Sequence, residues 1–291
     1  MQNVKIKKAI LPVAGFGTRM LPATKAQPKE MLVVVDKPAI QYLVEEAVAS
    51  GIEEVIFVTG RGKRSIEDHF DHSFELEHNL VEKEKHDFLR EVRKISSLAK
   101  FSYVRQKEPL GDGHAISCAS HLIGNEPILI MFGDCLYDST VPPAKQLIDT
   151  YNKYNQPVIG LSRVEMNIVN KFGVIDGLEI IKGNYEISKL VEKPKIEDAP
   201  SNLVAVGKYI ITPRVLQILD NMPSASSGEI RLTDAFSQML ENGELLYGKE
   251  LDGEWLDIGD KLSFIKATIK LGLNNKDIGL GLKEFMKSLN I

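Results

Sequence analysis

Apolar residues fall along this chain in two rhythms. Through the first half, short and nearly continuous apolar runs (Ala9 to Val13, Glu54 to Gly60, Phe101 to Arg105, Pro127 to Phe132) alternate with stretches of helical spacing, Pro38 to Ser50 and Gly113 to Leu122. A strand that is apolar at successive positions is covered on both faces, and strand-helix-strand order makes neighbouring strands parallel. Val33-Val34-Val35 reads as another short buried strand. Pro38 opens a helix that Gly51 closes. Residues 63–98 keep helical spacing but are strongly charged. The repeat predicts a Rossmann-like open sheet with helices on both faces and a ligand at the carboxyl ends of its strands.

After Val141 the rhythm changes. A helix leads to the strand Pro157 to Ser162, and then Phe172 to Ile175, Tyr185 to Glu192 and Leu203 to Ile211 come as strands separated by turns at Gly177, Gly183 and Asn184. These predict a small antiparallel subregion that closes over the site, so the sheet as a whole is mixed. Pro213 to Leu219 and Arg231 to Glu241 read as helices, Leu245 to Tyr247 as a short strand, and Leu256 to Gly259 as a turn. Lys261 to Leu273 and Lys276 to Leu289 are helical and apolar on more than one side, which suits a homodimer or homotetramer contact better than a free surface. The expected division is a unit of residues 1–260, in halves 1–140 and 141–260, followed by a helical segment 261–291.

Composition narrows the class. With 291 residues and 43% hydrophobic content the chain can bury a large core without staples. Cys118 and Cys135 are too few for a disulfide scaffold or a zinc knuckle and read as small core residues in a reduced compartment. A net charge of -4 argues against broad nucleic-acid binding. No apolar run approaches the ~20 residues of a spanning helix. Lys5, Lys7 and Lys8 imitate the start of a secretory leader, but Pro12 and the glycines interrupt the apolar run beyond them, so a soluble cytoplasmic protein is expected. His69, His72, His78 and His86 lie among acidic residues, as on a solvated helical insert rather than in a metal cluster.

The positive charge is concentrated near the start. The run Ala9 to Val13 breaks into Ala14-Gly15-Phe16-Gly17-Thr18-Arg19, then Lys25 and Lys29, with no acidic residue between Ala9 and Glu30. Glycines let backbone N–H groups approach an anion, arginine grips two phosphate oxygens at once, and lysine supplies a compact charge. Met20 stands where a dinucleotide fingerprint needs its third glycine, and no Gly-Lys-Ser/Thr ends the loop as in a P-loop. Four later segments each come after a strand: Gln106 through Gly111 to His114 and Ala115, Asp134, Glu192-Lys193-Pro194 with Gly173 before and Gly207 after, and Trp255 to Gly259 with Asp257. A glutamine has a donor and an acceptor and can pair with the edge of a uracil, while a glycine lets the backbone lie against the ring.

In that order, and over Ala9 to Gly259, these segments resemble the sugar-nucleotide pyrophosphorylase family, in particular its branch that joins UTP to glucose 1-phosphate. The resemblance implies that Ala14, Gly15, Gly17, Thr18, Glu30, Gln106 and Gly111 meet the nucleotide, and that Gly173, Glu192 and Gly207 meet the sugar. It implies that Arg19, Lys29 and Lys193 handle phosphates and that Asp134 and Asp257 hold Mg2+, with Asp138 and Asp260 as neighbours not chosen. Residues 1–140 would then be the nucleotide half and 141–260 the sugar-phosphate half. Two positions depart from the family's pattern: Cys135 comes directly after Asp134, and Asp112 stands between two glycines. A pyrophosphorylase for another pair, such as the dTDP-glucose type, is the nearest alternative. A non-catalytic nucleotide-sugar sensor is another, but it would be expected to have lost one of the five charged residues.

Overall fold

The structure is a computed structural model and describes residues 5–223 and 228–289. Four parallel strands form its first half: β1 (Lys8–Pro12), β4 (Glu54–Thr59), β5 (Lys100–Arg105) and β6 (Ile128–Met131). Between them lie β2 (Val33–Val34), β3 (Lys37–Pro38), α1 (Ala39–Ala49), α2 (Arg64–Phe70), α3 (Phe74–Glu82), α4 (His86–Ser96) and α5 (Asp112–Cys118). The second half comprises β7 (Cys135–Asp138), α6 (Pro143–Tyr154), β8 (Val158–Arg163), β9 (Gly173–Ile181), β10 (Asn184–Glu192), β11 (Leu203–Ile211), α7 (Pro213–Asn221), α8 (Leu232–Glu241), β12 (Tyr247–Glu250) and β13 (Glu254–Asp257). Helices α9 (Lys261–Asn274) and α10 (Gly279–Ser288) end it.

One nine-stranded mixed sheet runs through both halves in the order β5-β4-β1-β6-β11-β8-β12-β10-β9. Strand β11 is antiparallel to both β6 and β8, so it joins the parallel half to the later strands. The alternation along β1 shows why its residues are apolar throughout. Ala9 and Leu11 enter a core shared with α1, α6 and α9, while Ile10 enters the opposite core against α5, α7 and α8. The expected fold class therefore holds. The later strands belong to the same sheet, and β9 touches β11 at Val204 and Val174, which curls that end.

Several boundaries differ from the sequence reading. Val33-Val34-Val35 is not a buried strand: Val33 is 58% exposed, Val35 turns the chain at φ 63°, and the segment forms a two-residue hairpin with Lys37–Pro38. Leu245 and Leu246 precede β12 rather than form it, because the ladder with β8 starts at Tyr247. Helix α10 starts at Gly279 rather than at Lys276, because Asn275 Oδ1 accepts from the N–H groups of Asp277 and Ile278 and holds a turn there. The charged insert is three helices, with His72, His78 and His86 exposed and His69 within 3.0 Å of Gln41 Oε1. Among the described residues no group of three or more His, Cys, Asp or Glu could hold a metal ion.

A buried ion pair pins the two halves. Lys208 of β11 is fully enclosed, and its Nζ lies 2.9 Å from Glu46 Oε2 of α1. The other Glu46 oxygen accepts from Ala144 N at the start of α6, 3.0 Å away. Removing one member strands the other charge in the core, so Glu46→Ala should lower unfolding free energy by about 3–5 kcal/mol. Urea denaturation measures it, and a loss below about 1 kcal/mol would show that solvent reaches Lys208.

Candidate active site

The loops after β1, β4, β5 and β6 all leave the carboxyl edge of the parallel strands. The first is folded by three short 3-10 turns, Thr18–Met20, Ala23–Lys25 and Lys29–Met31. Gly17 sits at φ 65°, where a side chain is strained, and Thr24 Oγ1 donates to its carbonyl at 2.8 Å. A Cβ on Gly17 would lie 3.1 Å from Lys29 Cβ, so the glycine lets the loop return and bring Lys29 back beneath it. Gly15 has open space where a side chain would be, and Ala14 packs against Gly60 at the end of β4.

Lys29 Nζ donates to Asp134 Oδ2 at 2.7 Å. Asp134 lies just beyond β6, and Asp257 ends β13, which pairs antiparallel with β7 so that Asp257 lies opposite Cys135. This corrects the turn expected over Leu256 to Gly259: Leu256 and Asp257 are strand, and only Ile258 and Gly259 turn. Ile258 N donates to Asp134 O at 3.1 Å, which fastens the two acidic segments together. Gly259 marks the centre of the group. A Cβ there would lie 3.0 Å from Asp257 Oδ1, 3.4 Å from Asp134 Oδ2 and 3.4 Å from Arg19 Nη1.

The charges in this cluster shape one another. Burial pushes the Lys29 ammonium down, but the carboxylates of Asp134 and Glu30 outweigh it and hold its pKa above the usual value. Burial pushes Asp134 up, and the opposing pull of Lys29 and Arg19 leaves it below the usual carboxylate value. Asp257 is raised, by burial first and then by the charge of Asp134, against the Gly259 N–H that donates to it at 2.8 Å. Two neighbouring carboxylates that oppose each other's ionisation are suited to a shared cation.

Below the cluster Glu30 is 1% exposed and pairs with Lys63 at 2.8 Å. A Cβ on Gly133 would strike Glu30 Cγ at 2.8 Å. Burial and this pairing make Glu30 a support beneath the loops. Lys63 escapes the sequence reading; its position in Arg61-Gly62-Lys63, directly after a strand, is the available signal. Gly207, at φ 73° in a bulge of β11, also faces inward. A Cβ there would lie 2.5 Å from Cys135 Sγ, so this glycine makes room for the segment bearing Asp134.

On the side of β5, Gln106 is buried. Its Nε2 donates to Gly111 O at 2.9 Å and lies 3.0 Å from His114 Nδ1. A carbonyl can only accept, so the amide nitrogen faces inward and Oε1 remains to accept. On the other side, Gly173 starts β9, and a Cβ there would lie 3.1 Å from Glu192 Oε2. Lys193 comes after β10 at φ 47°, a conformation uncommon for a side-chain-bearing residue, and its N–H donates to Phe172 O at 3.0 Å. Its side chain is 60% exposed, with the ammonium 3.3 Å from Glu192 Oε1. The structure therefore brings Arg19, Lys29, Asp134 and Asp257 together and leaves Lys193 at the rim, linked through Phe172, whose ring meets Trp255 of β13 at 5.2 Å. Asp260 caps α9 by accepting from Ser263 N while its charge helps to raise Asp257, and Asp138 accepts from Asn274.

A glycine loop with two cations, opposed by two carboxylates at the carboxyl edge of a mixed sheet, defines a nucleotide-transferring enzyme class. The model of the nucleotidyl transferase family matches residues 8–272, and the chain belongs to that family. It is 46% identical over 285 residues to the UTP–glucose-1-phosphate uridylyltransferase YngB of Bacillus subtilis (strain 168), covering 98% of this chain and 96% of that one. The UTP-bound UDP-glucose pyrophosphorylase of Acinetobacter baumannii superimposes with a TM-score of 0.90 at 39% identity, over 98% of this chain and 100% of that one. A UDP-glucose pyrophosphorylase complexed with UDP-glucose does so with a TM-score of 0.85 at 41% identity, over 93% and 100%.

Proposed function

We propose that this chain is a UTP–glucose-1-phosphate uridylyltransferase, which converts UTP and glucose 1-phosphate to UDP-glucose and pyrophosphate. The observation that carries this reading is the convergence of Arg19, Lys29, Asp134 and Asp257 around Gly259 in a chain 46% identical to such enzymes. An oxygen of the sugar phosphate forms the new bond to the α-phosphorus of UTP, and the bond to the β-phosphate oxygen breaks, its electron pair leaving with pyrophosphate. The attacking phosphate is already an anion, so no side-chain nucleophile is needed. Positioning and fixed charge do the work, and a near-attack arrangement is worth roughly 7–11 kcal/mol.

Arg19 and Lys29 hold the triphosphate over the open face of Gly15, and Lys193 aims the sugar phosphate while Glu192 accepts from sugar hydroxyls. Gln106 Oε1 accepts the N3–H of uracil; cytosine carries an acceptor at N3 and is repelled. The two carboxylates fit Mg2+, which takes one or two protein carboxylates and completes its shell with water and substrate oxygens. Bound there by Asp134 and Asp257, it would supply charge stabilisation at the α-phosphate. We assign residues 1–140 to the nucleotide and 141–260 to the sugar phosphate. We place the enzyme in the cytoplasm, which agrees with the finding that no helix among the described residues is long and apolar enough to cross a membrane.

Pyrophosphate release, measured for each nucleoside triphosphate against several sugar 1-phosphates with and without EDTA, tests the reading. UTP with glucose 1-phosphate should be the fastest pair and EDTA should abolish it; another pair turning over faster would reassign the specificity. Lys193→Ala should raise KM for glucose 1-phosphate about tenfold and leave KM for UTP nearly unchanged. A shift confined to UTP would remove Lys193 from the sugar side. Leu262, Ile265, Leu280 and Phe285 of α9 and α10 are all more than half exposed. We assign them to a homo-oligomer contact, and light scattering at monomer mass would refute that.

A further inference from the structure

The turn after β5 and the start of α8 are tied by three hydrogen bonds, although the chain between them is long. Ile230 N donates to Leu110 O at 2.7 Å, and Gly113 N donates to Ile230 O at 2.9 Å. Leu232 N donates to Asp112 Oδ1 at 2.8 Å, across 120 residues. The first two bonds are backbone to backbone, and the third depends on one side chain. The approach is close: a Cβ on Gly111 would lie 2.4 Å from Ile230 O, and one on Gly113 2.9 Å from Arg231 C. In Gly111-Asp112-Gly113, then, only the central residue carries a side chain, and that side chain grips α8.

The same helix start borders the sugar side. The Cβ position of Gly173 that lies 3.1 Å from Glu192 Oε2 is also 3.6 Å from Thr233 Cγ2. Thr233 Oγ1 is buried and has no hydrogen-bond partner among the described residues. Buried hydroxyls are rarely left unpaired, so this one marks a place where a ligand group is wanted. The charged and titratable groups facing Asp112 are Glu192 of β10, Arg231 before α8 and Tyr209 of β11. Burial pushes the Asp112 carboxyl up to about 6, Glu192 adds to that, and the Leu232 and Gly113 N–H groups and Arg231 oppose it.

We propose that Asp112 is a positioning residue that makes the base-reading turn and the start of α8 move as one body, so that filling the base pocket fixes where Thr233 and Glu192 meet the sugar. This rests on the assignment of Gln106 and Gly111 to the base and of Gly173 and Glu192 to the sugar. Two sites that bias a shared element are coupled reciprocally, typically by 5- to 150-fold.

The test titrates glucose 1-phosphate into the magnesium-loaded protein with and without a saturating UTP analogue whose α,β-bridging oxygen is a methylene, which blocks the reaction. In the unaltered protein the analogue should tighten sugar-phosphate binding about tenfold. Asp112→Asn keeps an oxygen acceptor for Leu232 N–H and should retain most of that factor; Asp112→Ala should reduce it to near unity. Thr233→Val should weaken the sugar phosphate and leave analogue affinity unchanged. Coupling intact in Asp112→Ala, lost in Asp112→Asn, or absent from the unaltered protein would overturn the proposal. A merely structural Asp112 would lower Tm and leave the ratio unchanged. If Asp112→Ala does not fold, Asp112→Leu, which fills similar space without an acceptor for Leu232 N–H, takes its place with the same expected loss. Failure of the unaltered protein to bind either the analogue or UDP-glucose would instead refute the assignment of the pockets.

Discussion

Asp134→Asn should lower kcat by about a thousandfold while leaving the fold intact, because it removes charge from the point where the cations and the second carboxylate meet. The amide can still accept from Lys29, so the loop after β1 keeps its anchor. What it cannot do is share a divalent cation with Asp257 on equal terms. Raising magnesium should recover only part of the rate. Rate against magnesium concentration is the measurement, and a variant within tenfold of the unaltered enzyme at saturation would remove Asp134 from the metal. Asp257 adds a pH signature. Its carboxyl is raised by burial and by Asp134, so protons compete for it above the ordinary aspartate range. Added magnesium favours the ionised form, and the acid limb of kcat/KM should therefore move to lower pH as magnesium rises.

How far the sequence discloses this site differs residue by residue. The glycine loop is legible because an apolar strand breaks into glycines and cations within a dozen residues, and that local pattern survives folding unchanged. Asp134 is legible for the same reason, as the acidic residue at the end of a buried strand. Asp257 is legible as a candidate carboxylate but its setting is not. Glu254–Asp257 is strand only because β7, more than a hundred residues earlier, supplies the partner. Glu30 enters as a substrate contact only through the resemblance; its burial against Lys63 and Gly133 is something no local spacing announces. Gly207 enters the sequence reading only through the resemblance, as a sugar contact, and its close approach to Cys135 is visible only once β11 and β7 are folded together. Val33 to Val35 shows the opposite failure: three β-branched residues promise a buried strand, and the two-residue hairpin they enter buries Val34 but leaves Val33 exposed.

Lys29→Met should change two quantities in opposite directions. Without ligands the ammonium occupies Asp134 Oδ2, so a divalent cation arriving at Asp134 must displace it. The variant should therefore bind Mn2+ more tightly in the absence of nucleotide, while kcat/KM for UTP falls about a hundredfold because the triphosphate loses one of its two cations. The stability effect has its own sign. Asp134 sits below its usual pKa of 3.8 because of Lys29, so the pair's contribution is present above that value and is lost as pH falls through the lower, folded one. Lys29 sits above its usual 10.5, so the contribution is present below that value and is lost only as pH rises through the higher, folded one. Metal-free Lys29→Met should consequently be less stable by about 3 kcal/mol at neutral pH and converge on the unaltered protein in strong acid. Denaturation at several pH values, with manganese titration by paramagnetic resonance, reads both. Weaker manganese binding together with unchanged UTP use would show that Lys29 serves Asp134 alone and never meets the triphosphate.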